Sequence, residues 1–150
     1  MPRVYLIGSL RNKNVPIVAG QLREHGFDVF DDWYAAGPEA DDFWQKYEQE
    51  RGHTYPQALK GHAATHVFEY DLHHLTHSDI AVLLTPAGKS GHLEFGVHIG
   101  LGKKGYILIE EMPERWDVMY RFATGVFFTI EELLETLKID TAIANESSNG

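Results

Sequence analysis

Five consecutive apolar residues, Ile80-Ala81-Val82-Leu83-Leu84, stand between Asp79 and Thr85-Pro86. A strand that is apolar at every position has no face to offer water, so both of its faces must be covered. Such a strand belongs in the middle of a parallel sheet with helices packed on either side, and the rest of the chain has to supply those helices and the flanking strands. A chain of 150 residues is long enough for one such unit, with roughly two-thirds of its unfolded surface buried. Residues 1–140 are read as a single domain. Residues 141–150, rich in Asn, Ser, Ala and Gly, are read as a flexible tail.

The flanking pattern meets this requirement. Val4-Tyr5-Leu6-Ile7-Gly8 reads as a first strand, and Val15, Val18 and Leu22 recur at helical spacing. Gly26 stops that helix, and Phe27-Asp28-Val29-Phe30 alternates as a second strand. Residues 68–77 read as a helix before the apolar strand and residues 90–103 as one after it. Residues 106–109 and 126–128 read as a fourth and a fifth strand, and residues 130–137 as a last helix with Glu131 and Glu132 at its favourable end. Strands alternating with helices predict an α/β, flavodoxin- or Rossmann-like three-layer fold with a five-stranded, mostly parallel sheet in the order 2-1-3-4-5. Residues 38–66, polar and aromatic, are read as an insertion of one or two helices laid over the core, with Trp44 and Tyr47 sealing it down or open to stacking on a planar ligand.

The composition removes several classes of function. A net charge of −9, with no basic run longer than Lys103-Lys104, lacks the electrostatic footprint of a protein that tracks a nucleic-acid polymer. The chain has no cysteine, so neither a disulfide framework nor a thiolate metal site is available. Of the nine histidines, His62 with His66 and His73 with His77 have i, i+4 spacing. No third ligand is identifiable, and no metal or cofactor is expected. No stretch reaches the length of a signal peptide's apolar region or of a membrane span, so the chain is read as a cytoplasmic protein without membrane contact.

In an open α/β sheet ligands sit outside the carboxyl ends of the strands, where the strand order reverses. In the order 2-1-3-4-5 that point lies between the first and third strands. Gly8, Ser9 and Arg11 follow the first strand, Asp32 and Trp33 the second, and Gly88-Lys89-Ser90-Gly91-His92-Leu93-Glu94 the third. Small hydroxyls, backbone N–H groups at Gly88 and Gly91, and a helix N-terminus make a cradle for an anion such as a 5′-phosphate. The same residues also serve as ordinary caps and turns. Gly88-Lys89-Ser90 is not a Walker loop, because the preceding glycine at the required spacing is missing. Glu94 lies one helical turn beyond Ser90 on the same face, either as a capping partner or as a carboxylate aimed at whatever the cradle holds. Asp71, turned inward, would bring a second carboxylate to the crevice, and two carboxylates permit acid, base or nucleophile chemistry at an acetal-like carbon. His92 is read as a pocket wall beside Ser90, and Trp33 as a stacking surface. Asp79 is read as a turn residue. Gly96 and Gly100, four apart on the Glu94 helix, allow close backbone approach for a dimer contact or for helix-on-sheet packing, with packing favoured.

Val4-Tyr5-Leu6-Ile7-Gly8-Ser9-Leu10-Arg11, Asp71 before the apolar strand, and Gly91-His92-Leu93-Glu94-Phe95-Gly96 after it together resemble the nucleoside 2-deoxyribosyltransferase-like superfamily, which includes 2′-deoxynucleoside 5′-phosphate N-hydrolases. The resemblance runs from Val4 to about Leu137. It implies cleavage of the bond between base and sugar, with Glu94 attacking the anomeric carbon, Asp71 handling protons at the base or orienting the sugar, and Tyr5 holding the glutamate. Gly8-Ser9-Leu10-Arg11 and Ser90 resemble the phosphate-binding parts of the phosphohydrolase branch. Transferases acting on free nucleosides share the nucleophile turn, so both substrate classes stand, beside a non-catalytic nucleotide-binding module. The resemblance further implies a small-molecule nucleoside or nucleotide as partner and a homodimer or larger homo-oligomer with shared active sites, the region of Met119 and Tyr120 crossing to the neighbour.

Overall fold

A computed structural model describes residues 2–149, with side chains as far as residue 142. Its five strands are β1 (Arg3–Ile7), β2 (Asp28–Phe30), β3 (Ile80–Leu84), β4 (Lys104–Leu108) and β5 (Gly125–Phe127). They form one sheet in the order β2-β1-β3-β4-β5, every neighbouring pair parallel. The expected order is therefore observed, and the sheet is wholly rather than mostly parallel. β3 is buried at all five positions, as its unbroken apolar run requires.

Alternation along the strands sorts side chains into two cores. Val4, Leu6, Val82, Leu84, Tyr106 and Leu108 face one side, where α1 (Val15–Glu24) and α6 (Ile130–Asn149) cover them. Tyr5, Ile7, Phe30, Ala81, Leu83 and Ile107 face the other, under α4 (His62–Thr76) and α5 (Lys89–Gly100), which contribute Leu75 and Phe95. Asp79 accepts a hydrogen bond from the Arg3 N–H at 2.8 Å and so joins the turn before β3 to the start of β1. Buried His98 is tied through Nε2 to the Lys104 carbonyl at 3.0 Å, clamping the end of α5 to β4.

The insertion differs from its expected form. It holds α2 (Ala40–Glu50), the five-residue α3 (Tyr55–Leu59) and the first turns of α4, which starts at His62 rather than near residue 68. None of its residues joins either core. Phe43 and Tyr47 are largely exposed, and the Tyr47 ring lies under the Arg51 guanidinium rather than on the core. The insertion has its own fastenings: a His53–Glu48 pair at 2.5 Å, the Trp44–Tyr55 edge contact, and a capping box between Thr54 and Gln57. With three aromatic residues in an otherwise polar eleven-residue helix, α2 carries too little apolar surface to press onto the sheet.

α6 continues to Asn149, well past residue 137 where the periodicity ends. The tail reading falls largely on side chains beyond the described ones.

Candidate active site

Tyr5 sits in the middle strand pairings of the sheet, opposite Phe30 on β2 and Ala81 on β3. Its ring packs on Phe30 at 5.1 Å between centroids, and Phe30 is itself stacked on His74 of α4 at 4.0 Å. So braced, the buried Tyr5 side chain delivers its hydroxyl to Glu94 of α5, donating to Oε2 at 2.6 Å. A hydroxyl–carboxylate bond of this length is charge-assisted.

Gly91 brings α5 close enough for this contact. A Cβ at that position would lie 2.9 Å from Cγ2 of Ile7 and 3.6 Å from Cδ1 of Leu83, so only glycine lets the first turn of α5 settle on β1 and β3. The seating of Gly91 also fixes the rotation of the helix. Ser90 and Glu94, a turn apart, share one side, while His92 leaves from the opposite side. There the His92 ring pairs through Nδ1 with the Gly88 carbonyl at 2.8 Å and through Nε2 with the Tyr120 hydroxyl at 3.0 Å, stacked on the Tyr120 ring. His92 thus joins α5 to the 3-10 turn Val118–Phe122 and does not wall the Glu94 side.

Burial drives the Glu94 carboxyl upward, the Tyr5 hydrogen bond pulls it back, and the nearby Asp71 carboxylate raises it again, leaving it at about 7. Asp71, on α4, is also raised by burial. The Tyr5 hydroxyl is driven far above its ordinary value by burial and by the Glu94 charge, so Tyr5 stays a proton donor at every relevant pH. Two carboxyl groups of raised pKa and one permanent donor therefore share a half-buried space between β1, α4 and α5.

The loop after β1 supplies a second group of candidates. Ser9 Oγ accepts from the Arg11 N–H at 3.1 Å. The exposed Arg11 side chain reaches the insertion, donating to the Pro38 carbonyl at 3.4 Å and meeting Asp42 at 3.5 Å. Gly8 is hemmed in, since a Cβ there would be 3.0 Å from Val15. Lys89 and Ser90 are exposed on the first turn of α5, and its N-cap Gly88 offers no side chain to occupy the free N–H groups. Asp32 is exposed at the start of the 3-10 turn Asp32–Ala36. Trp33 is half-buried and donates its indole N–H to the Leu6 carbonyl at 2.8 Å, just past the last β1–β2 register pair, while its ring touches both cores. It therefore works as a wedge at the strand end.

Several contributors were not singled out in the sequence. Asn12, nearly buried, donates to the Thr85 carbonyl at 3.4 Å and accepts from the Asn14 N–H at 3.0 Å, tying the loop after β1 to the loop after β3. Phe30 and His74 brace Tyr5, and their only sequence signal is aromatic character at a strand end and on a helix. A cavity of about 1030 Å³ lies at the same sheet edge but is not lined by Tyr5, Asp71 or Glu94, although Arg11 is on its wall. The hydrogen-bonded, charge-perturbed crevice is the better candidate for chemistry because it holds the groups whose protonation is tuned. Gly96 and Gly100 would meet nothing within 4 Å if given a Cβ, which overturns the packing reading for both. They line a second, apolar cavity of about 450 Å³ beside Met119 and Phe122. Among the described residues no group of three or more His, Asp or Glu is placed to hold a metal ion, and no helix is long and apolar enough to cross a membrane.

Neither a protein-family model nor a curated protein matches this chain. Solved structures do. A 2-deoxyribosyltransferase of the psychrotolerant bacterium Bacillus psychrosaccharolyticus is 19% identical with a TM-score of 0.60, the match covering 88% of this chain and 90% of that one. A CMP N-glycosidase of Clostridium botulinum is 16% identical with a TM-score of 0.53, over 91% and 98% of the two chains. A conserved protein of Enterococcus faecalis V583 is 15% identical with a TM-score of 0.63, over 93% and 99%. At these identities, what this chain shares with the three over nearly its whole length is the α/β fold built on the 2-1-3-4-5 parallel sheet.

Proposed function

We propose that this chain cleaves the N-glycosidic bond of a nucleoside 5′-monophosphate, with a 2′-deoxy sugar, through a covalent glutamyl–sugar intermediate resolved by water or by a second base. The observation that carries this reading is the Tyr5–Glu94 hydrogen bond at 2.6 Å, within the influence of the raised Asp71 carboxyl. The fold shared with a deoxyribosyltransferase and a CMP N-glycosidase supports it.

The chemistry follows from the two carboxyl groups. As the C1′–N bond breaks, an oxygen of ionised Glu94 bonds to C1′ and the bond's electron pair leaves with the base, which takes the proton of Asp71. Water, giving its proton back to Asp71, then attacks C1′ and frees Glu94, as in retaining glycosidases. Tyr5 aims the attacking oxygen and holds down the Glu94 pKa, so that an ionised fraction exists at neutral pH. Ser9, Arg11, Lys89, Ser90 and the N–H groups at Gly88 and Gly91 form the phosphate cradle.

The same reading includes a homodimer or larger homo-oligomer that completes the sites, working in the cytoplasm, where a chain without cysteine has no disulfide to lose. Leu93 and Val97 of α5 and its C-cap Leu101 are 73%, 46% and 53% exposed, with Gly96 and Gly100 between them. A stripe of this kind at i, i+3, i+4 spacing suits close packing against a second copy.

The test is chromatographic detection of free base after incubation with ribo- and deoxynucleosides and their 5′-monophosphates, beside Glu94→Ala. Release from monophosphates by wild type alone is expected, and Asp71→Asn slows it by about 10²–10⁴-fold. A dependence on added acceptor base identifies transfer rather than hydrolysis. Release that survives Glu94→Ala would remove Glu94 as nucleophile, and no release from any substrate would leave a binding module.

A further inference from the structure

None of Tyr5, Asp71 and Glu94 lines the 1030 Å³ cavity, yet it reaches the proposed phosphate cradle through Arg11. Its wall includes Arg11 and Ala87, and the cradle residues Ser9 and Gly88 are their near neighbours in the chain. A group esterified to a phosphate held at Arg11 would therefore have this cavity beside it.

Its size and its lining residues suit such an extension. One phosphate fills a small fraction of the volume, which stands at the top of the range of roughly 300–1,000 Å³ usual for small-molecule sites. The chain is strongly acidic overall, yet Arg11, Lys13, Arg115 and Arg121 line this one cavity, four of its 13 Lys and Arg. Lys13, Arg115 and Arg121 have no ion-pair partner among the described residues. Three carboxylates share the wall, Glu110, Glu111 and Asp117, so the lining is mixed. Cations beside hydrogen-bond acceptors suit a ligand that carries both phosphate and the hydroxyl and amino donors of a nucleoside. Trp116, 84% exposed, presents an unpartnered aromatic face at this wall. Aromatic faces of this kind stack on bases.

We infer that the substrate class of the Glu94 site is the pyrophosphate-linked dinucleotide: the near phosphate on the cradle, the far phosphate between Arg115 and Arg121, and the second base on Trp116. This rests on the proposed N-glycosidic reading and extends it. The bond broken is still C1′–N, and the pyrophosphate is left intact.

The subsite is tested on Glu94→Gln protein, which holds ligand without turning it over. Trp fluorescence titrations compare nucleoside 5′-monophosphates with the matching P1,P2-dinucleoside 5′-diphosphates, with Trp116→Phe identifying the reporting ring. Dinucleotides are expected to bind at least about tenfold tighter. The Arg115→Ala, Arg121→Ala double variant, changed at exposed positions outside both cores, is expected to close that gap. Equal affinities, or a gap that survives in the double variant, overturn the inference. Base release by wild type is scored separately. A dinucleotide advantage without release sinks the catalytic reading and keeps the subsite, whereas release from monophosphates without that advantage does the reverse.

Discussion

In the proposed reaction the Tyr5–Glu94 pair would set the working pH of the site. As the proposed nucleophile Glu94 must be ionised, and Tyr5 opposes the burial that keeps it protonated. Tyr5→Phe removes the donor and leaves the burial, so the Glu94 pKa must rise above about 7. The acid limb of the kcat/KM–pH profile is expected to move to higher pH, and an unmoved limb would mean that the hydroxyl does not tune the carboxylate. The same shift has a stability cost of opposite use to function. Between the unfolded value of 4.5 and about 7, folded Glu94 binds the proton more tightly than the unfolded chain does, so stability falls as pH rises through that window. Glu94→Gln is therefore expected to stabilise the fold by roughly 1–3 kcal/mol at about pH 8 and little at about pH 4, measured by urea denaturation. At this scale the sequence indicated which residues reach the sheet edge but not where each side chain points. The i, i+4 relation of Ser90 to Glu94 was legible from helical geometry. The outward turn of His92 to Tyr120 was not, because the rotation of α5 is set by how Gly91 seats against Ile7, a contact between residues distant in the chain.

At the level of elements, α5 is the part on which the site depends. Gly91→Ala puts a methyl group 2.9 Å from Ile7, and the relief available is to lift the first turn of α5 off the sheet. Overpacking of this kind costs about 1–3 kcal/mol. Because Glu94 sits on the next turn, loss of base release is expected to exceed what the lowered Tm explains, and full activity at reduced Tm would show the helix tolerating the shift. The elements themselves were largely readable where burial is periodic, as in β3 and α1. The start of α4 was missed because its apolar residues are not the buried ones: Val67, Phe68 and Tyr70 recur at helical spacing yet are exposed, so its first turns read as part of the polar and aromatic insertion. The sequence also suggested a covering role for α2, on aromatic spacing alone. Its Phe43 and Tyr47 face solvent, since a few aromatic residues cannot outweigh eleven positions that are otherwise nearly all polar.

For the whole molecule, the strand order was legible because one unbroken apolar run demands a central place and short alternating strands must flank it. Association was not, because a helix uses closely spaced glycines equally well for inner packing and for a partner. The open space around Gly96 and Gly100 favours the partner. If the proposed homo-oligomer packs on the exposed stripe, Val97→Lys is expected to yield a folded monomer by sedimentation with wild-type circular dichroism, and an unchanged sedimentation coefficient would remove this stripe as an interface. β3 carries a different consequence. Val82 and Leu84 belong to one core and Ala81 and Leu83 to the other, so this strand is the seam between the two layers. Neither layer can open without wetting the seam. The amides of β3 should therefore exchange with deuterium only when the entire chain unfolds, and their rate reads the global free energy of the molecule directly.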